Sequence, residues 1–169
     1  MGWTVLISVD PGINGCGVAY FIGDKLVKAM YVKNPAKKDS LPGYRAFSMA
    51  QAVIGTKAEP WNDQLVLEYP QIYRGPRANN PNNLLTLALV DGALMGLFGN
   101  HAILYLPHAW KGSVDPDVCV ARVQARLSAA EMGQVELPAA SLAHNVWDAI
   151  GIGLFHLGRF NPRRVYAAS

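Results

Sequence analysis

Residues 4–9 (TVLISV) form a short, apolar, β-branched run that stops at Asp10-Pro11-Gly12. Proline has no amide hydrogen and a fixed φ, and glycine favours a turn, so the run reads as a buried strand with a hard end at Asp10. Two more strand-like segments follow, residues 17–22 (GVAYFI) and 26–33 (LVKAMYVK), separated by the hairpin-type loop Gly23-Asp24-Lys25. Three antiparallel strands opening a chain of 169 residues, 51% of them hydrophobic, commit it to one sheet-based domain over residues 1–169 with a real core.

The remainder adds helices. Residues 44–54 read as a helix after the Pro42-Gly43 break, and residues 64–67 (QLVL) as a short buried strand ending at Glu68. A polar, turn-rich stretch over residues 69–83 precedes an apolar helix over residues 84–98, and residues 102–106 read as a fifth strand. Asp115-Pro116 supplies an N-cap and an N1 proline for a helix to about Leu127, and Ser141 is expected to cap a final helix to about Leu157. The order βββαβαβαα predicts an α/β fold with a mixed five-stranded sheet and helices on both faces, the ribonuclease-H-like pattern. A C-terminal tail is expected from about Arg159, with Arg163 and Arg164 beyond it, as a solubilising end or a phosphate-binding one.

The same residues exclude several classes. The apolar run 84–98 is broken by Thr86, Asp91 and two glycines, short of the roughly 18 uninterrupted residues expected of a membrane span. The first nine residues have no basic leader, and Cys16 and Cys119 stand far apart with no CxxC or Cys/His cluster. The expectation is a cytoplasmic protein with neither a disulfide framework nor a structural zinc. A formal charge of +3 is a weak basic bias.

Only 12 residues are acidic, so their placement is informative. Asp10 and Glu68 each end a strand, and parallel neighbours about 4.8 Å apart would present both carboxylates on one sheet edge, where open α/β sheets bind ligands. Asp148 lies early in the last helix, alone in an apolar run. Taken singly, Asp10 shapes a turn, Glu68 is a solvated strand end and Asp148 bonds a backbone group or an arginine. Taken together they form a self-repelling cluster that calls for a cation, and oxygen ligands select Mg²⁺ or Mn²⁺ over Zn²⁺.

Three segments carry a resemblance: Ile7-Ser8-Val9-Asp10-Pro11-Gly12 with Gly17-Val18-Ala19, then Leu67-Glu68-Tyr69-Pro70, then His144-Asn145-Val146-Trp147-Asp148-Ala149. Tyr105-Leu106-Pro107 with Trp110-Lys111-Gly112 extends it. From about residue 5 to 157 the chain resembles RuvC-type Holliday junction resolvases, in particular the short forms carried by phages. The resemblance implies a bacterial cytosolic or phage-encoded endonuclease of DNA recombination and repair. Such an enzyme acts as a homodimer on four-way DNA, makes paired symmetric nicks and uses two Mg²⁺ ions, with Mn²⁺ as a substitute. Asp10, Glu68 and Asp148 correspond to its metal ligands. The family's further ligand, three residues before its last Asp, is replaced by Asn145, and His144 can serve as ligand, proton-transfer group or plain surface residue. Lys111 matches a basic residue near the family's site, whereas the next expected lysine gives way to Asp115-Pro116-Asp117.

On this reading Asp10 bridges both ions. Arg74 and Arg77 hold phosphates, and Tyr73 or Tyr69 wedges at the crossover, unless the stretch is a solvated connector. The apolar positions all round the 84–98 helix exceed what one sheet face needs, and a dimer contact accounts for the surplus. Two divalent ions would raise the formal charge from +3 to about +7, beside the scissile phosphate. The competing readings are a DNA-binding scaffold of the same fold with weakened catalysis, favoured by Asn145, and an ATP-binding relative, for which Gly12, Gly15 and Gly17 are the only support.

Overall fold

The computed structural model describes residues 5–55, 62–71 and 80–160. Strands β1 (Val5–Asp10), β2 (Gly15–Ile22) and β3 (Lys25–Lys33) form an antiparallel meander, followed by α1 (Pro42–Ile54), β4 (Gln64–Glu68), α2 (Pro81–Phe98) and β5 (Ala102–Tyr105). Helices α3 (Pro107–Trp110), α4 (Pro116–Gln124), α5 (Ala129–Met132) and α6 (Ala143–His156) complete the chain. The sheet order is β3-β2-β1-β4-β5, with β4 parallel to both β1 and β5. The expected mixed five-stranded sheet is therefore present.

Alternation along the strands divides the core into two layers. Ile7, Val9, Leu65 and Leu67 face one side, packed against α1 and α2. Leu6 and Val66 face the other, where α6, α4 and Trp110 close over them. Because side chains repeat every second residue, Asp10 and Glu68 follow Leu6, Ser8 and Val66 onto the α6 side. The two layers put helices on both faces, as the element pattern implied.

Four details differ from the sequence reading. Helix α2 begins at Pro81, not Leu84, because Asn80 caps it by accepting from the Asn82 amide at 2.9 Å while Pro81 fills N1. Helix α1 likewise starts at Pro42. Ser141 is not the cap of α6: it lies in the short 3₁₀ turn Ala140–Leu142, and the capping position belongs to Leu142, which makes no side-chain bond. Two single-turn helices, α3 and α5, were not anticipated; α5 is held by a reciprocal Ser128–Glu131 capping box. Asp115 does cap α4, accepting from Asp117 N at 3.0 Å.

Helix α2 with its extension, Pro81–His101, is long and apolar enough by length and composition to cross a membrane, despite the interruptions noted above. Here it packs on α1 and β4 as the outer layer of the sheet. Cys16 and Cys119 are both free thiols.

Candidate active site

The β1–β4 register pairs Val9 with Leu67, so the next step along each strand brings Asp10 beside Glu68 at the C-terminal edge. Asp148 approaches from α6, whose position is set by contacts that leave little freedom. Ser8 Oγ donates to the Ala149 carbonyl at 2.6 Å, one residue beyond Asp148. A Cβ on Gly17, which pairs with Asp10, would collide with the Asn145 carbonyl, and one on Gly153 of α6 would meet the Phe21 ring and Ser8 Oγ of the sheet. The helix backbone thus lies almost on the sheet, which is why glycines stand at these places.

Lys111, just after α3, sits between two of the acids. Its Nζ is 3.1 Å from Glu68 Oε2 and 3.1 Å from Asp148 Oδ2. Trp110 Nε1–H donates to the same Glu68 oxygen at 2.9 Å. Burial alone would push the Lys111 ammonium down, but Asp148 and Glu68 outweigh it and hold its pKa above the ordinary lysine value. At Asp10 the opposing pull of Lys111 is outweighed. Burial, then the charges of Asp148 and Glu68, raise its pKa well above the usual carboxylate range. Burial also raises Glu68, against the opposing pull of Lys111.

The acids are therefore spread around an ammonium, and among the described residues no three His, Cys, Asp or Glu side chains already converge as a metal cage. The donor set nevertheless fits a hard divalent ion: all donors are carboxylate oxygens, and one acid, Asp10, is half-buried and repelled by its neighbours.

The other predicted site residues are less concentrated. His144 is exposed and lines a cleft of about 840 Å³ together with Lys111, His108, Ser113 and Asp148. Asn145 turns its amide back, donating to the Leu142 carbonyl at 3.2 Å. Tyr69 is exposed immediately beyond Glu68. Tyr73, Arg74 and Arg77 lie outside the described residues, as do Arg163 and Arg164. Arg159, assigned to a tail, is instead part of the fold: its guanidinium is 2.7 Å from Glu131 Oε1 and donates to the Arg126 carbonyl at 2.9 Å.

One residue of this region was passed over as an interruption of an apolar run. Asp91 of α2 is 4% exposed, and neither carboxylate oxygen has a hydrogen-bond partner. Burial and the charge of Glu68 push its pKa up to about 8. A lone acid in an otherwise apolar helix was the available signal. Cys16, by contrast, is a core thiol pushed up to about 12 by burial and bonded to the Gly12 backbone.

No protein-family model and no curated protein sequence matches this chain. Solved structures do. RuvC of Thermus thermophilus in complex with a Holliday junction substrate is similar at TM-score 0.61 and 17% identity, over 90% of this chain and 92% of that one. The same protein in a separate structure gives 0.60 and 17%, over 94% and 99%. The yeast mitochondrial Holliday junction resolvase Ydc2 gives 0.55 and 13%, over 91% and 79%. At such identities the likeness shows the fold: over nine-tenths of its length the chain has the ribonuclease-H-like architecture of the RuvC-type resolvases.

Proposed function

We propose that the protein is a structure-selective DNA endonuclease that resolves four-way junctions by paired, symmetric nicks. The observation that carries this reading is the meeting of Asp10 and Glu68 at adjacent ends of parallel strands, faced by Asp148 from α6, within an architecture shared with junction resolvases. The similar Thermus structure is described with a Holliday junction substrate, which supports branched DNA as the ligand class here.

Asp10, Glu68 and Asp148 would hold two divalent ions, Mg²⁺ or Mn²⁺. When bound, such ions activate a water and stabilise the leaving 3′-oxygen of a phosphodiester. The chain's own residues orient and neutralise. Trp110 fixes the Glu68 carboxylate, and Lys111 supplies a positive charge beside the acids that is available to a non-bridging phosphate oxygen. His144, on the rim of the cleft beside Asp148, is placed to contact the strand or pass a proton to solvent. Tyr69 offers an exposed ring one residue from Glu68, suited to stacking at an opened crossover.

A second copy would give a two-fold junction two such sites. Leu85 and Leu89 on α2, and Tyr44 and Phe47 on the neighbouring α1, are exposed on the same layer and suit an isologous contact.

Asp10→Asn tests the reading. It should bind a labelled four-way junction in Ca²⁺ as well as the parent does and cut nothing in Mg²⁺; normal cutting by the variant would refute it. The arrangement of Asn145, bonded to Leu142 where a further acid is expected, favours a weakened scaffold as the second reading. Junction binding by the parent protein without cleavage in Mg²⁺ or Mn²⁺ would select that one.

A further inference from the structure

Of the glycines that follow Asp10, Gly17 makes room for the α6 backbone and Gly15 makes room for Tyr31: a Cβ on Gly15 would collide with the Cζ and hydroxyl end of that ring. Tyr31 of β3 pairs with Gly17, and Gly17 pairs with Asp10, so the three form one row across the sheet. Residues opposite one another share a face, and Tyr31 packs on the α6 side, the side that Asp10 faces. Its ring crosses β2 diagonally toward Gly15, which puts the hydroxyl at the site's edge of the sheet, one strand over from Asp10. Tyr31 is half-buried, its hydroxyl is open to solvent, and it has no hydrogen-bond partner among the described residues. Lys33, two residues on, takes the same face of β3, pairs with Gly15 itself and is exposed. We propose that Tyr31 and Lys33 hold a phosphate of the DNA backbone, next to the phosphate placed at the acids, with the hydroxyl donating to a non-bridging oxygen and the ammonium neutralising its charge.

Three observations support this assignment, which rests on the nuclease reading above. The first is the hydroxyl itself. A phenylalanine would fill the space over Gly15 equally well, so packing accounts for the ring and leaves the donor unexplained. The second is its protonation. Burial first, then Cys16 and Asp10, raise the phenol's pKa above the ordinary tyrosine value, so it keeps its proton and donates, as an anionic ligand requires. The third is position. Lys111 stands among the acids on the β4 side of Asp10, bridging Glu68 and Asp148. On the β2 side the row from Asp10 runs through Gly17, which has no side chain, to Tyr31, with Lys33 just beyond. A strand laid across this edge would meet a cation on each side of Asp10, and a phosphate contact fixes its register without reading sequence.

Tyr31→Phe keeps the ring over Gly15 and removes only the donor, and Lys33→Gln removes a charge at an exposed position. Anisotropy titrations in Ca²⁺ would use a labelled four-way junction and a set of the same junction with single phosphates replaced, one position at a time, by neutral methylphosphonates. In the parent protein one replacement beside the crossover should weaken binding about tenfold, the loss of a charge-assisted hydrogen bond. Each variant should bind the unmodified junction several-fold more weakly and respond to that one replacement by no more than about twofold, with parental responses at the other positions. Circular dichroism should show parental unfolding temperatures for both. Parental sensitivity at every phosphate in Tyr31→Phe, or a loss spread evenly over all of them, would overturn the assignment. So would an effect of Tyr31→Phe confined to Mn²⁺ titrations without DNA, which would give the hydroxyl to Asp10 instead. Cleavage in Mg²⁺ separates the two levels: the single-phosphate signature without any cutting sinks the nuclease reading alone, and normal cutting without that signature sinks this inference alone.

Discussion

The indole of Trp110 donates a 2.9 Å hydrogen bond to Glu68 Oε2 while its ring is completely buried beside Gly151 of α6. One side chain therefore serves as core and as a positioning group for a site carboxylate. Trp110→Phe keeps most of the ring packing and deletes the donor. The expected loss of stability is about 1 kcal/mol, with junction affinity unchanged and single-turnover cleavage reduced roughly tenfold by a misaligned ligand. Thermal unfolding and quenched-flow cleavage would check it; a stability loss with full cutting rate would mean that the indole is only a core element.

Lys111 bridges Glu68 and Asp148 at 3.1 Å to each, the position a shared cation would take between two carboxylates. It acts as an internal counter-ion to the two carboxylates and, on the proposed reading, would compete with a divalent ion for them. Lys111→Met should lower the unfolding temperature in EDTA, because two partly buried acids then repel without compensation. The same variant should bind Mn²⁺ several-fold more tightly by isothermal titration calorimetry, yet bind junction DNA more weakly for want of its charge. Weaker Mn²⁺ binding would contradict the competition.

At the far end of the molecule Glu131 accepts from Arg159 at 2.7 Å and also from the Leu26 and Ser128 amides at 3.0 and 2.9 Å. These bonds, the arginine's above all, hold its pKa well below the usual carboxylate range in spite of burial. A group depressed on folding contributes stability that is complete above its unfolded value, about 4.3, and is lost as pH falls through the folded value. Glu131→Gln should therefore cost about 3 kcal/mol at pH 7 and flatten the decline in stability below pH 4. Urea unfolding between pH 2 and 7 gives both numbers; a parallel decline in parent and variant would rule the pair out as the source.

The strand ends were legible because Asp10-Pro11-Gly12 and the β-branched runs leave the backbone few options, and placing Asp10 beside Glu68 needed only the parallel pairing of β1 with β4. The start of α2 was misplaced because Asn80-Pro81 lies in a stretch so rich in turn residues that a cap and a loop look alike. Asp91 and the double role of Trp110 were hidden for a different reason. Both depend on which face of an element meets the sheet, and an apolar helix without a polar stripe carries no such phase. Arg159 looked like part of a basic tail because its partner Glu131 is 28 residues away in sequence.

The placement of Asp148 hangs on a contact that has no charge at all. Gly17 pairs with Asp10 across β1 and β2, and the space its side chain would occupy belongs to the Asn145 carbonyl, three residues before Asp148 on α6. A methyl group there cannot be absorbed by a flexible side chain, since the obstacle is backbone, so α6 must lift away from the sheet. That movement also strains the 2.6 Å bond from Ser8 to Ala149. Gly17→Ala is expected to cost about 3 kcal/mol. In the fraction that remains folded, cleavage should fall far more than junction binding, because on the proposed reading Asp148 would move out of reach of ions that Asp10 and Glu68 would hold, while the proposed DNA surface would persist. Thermal unfolding with paired binding and cleavage assays would decide: equal losses in binding and cutting would indicate general unfolding, and near-parent activity would show that α6 is not held by this contact.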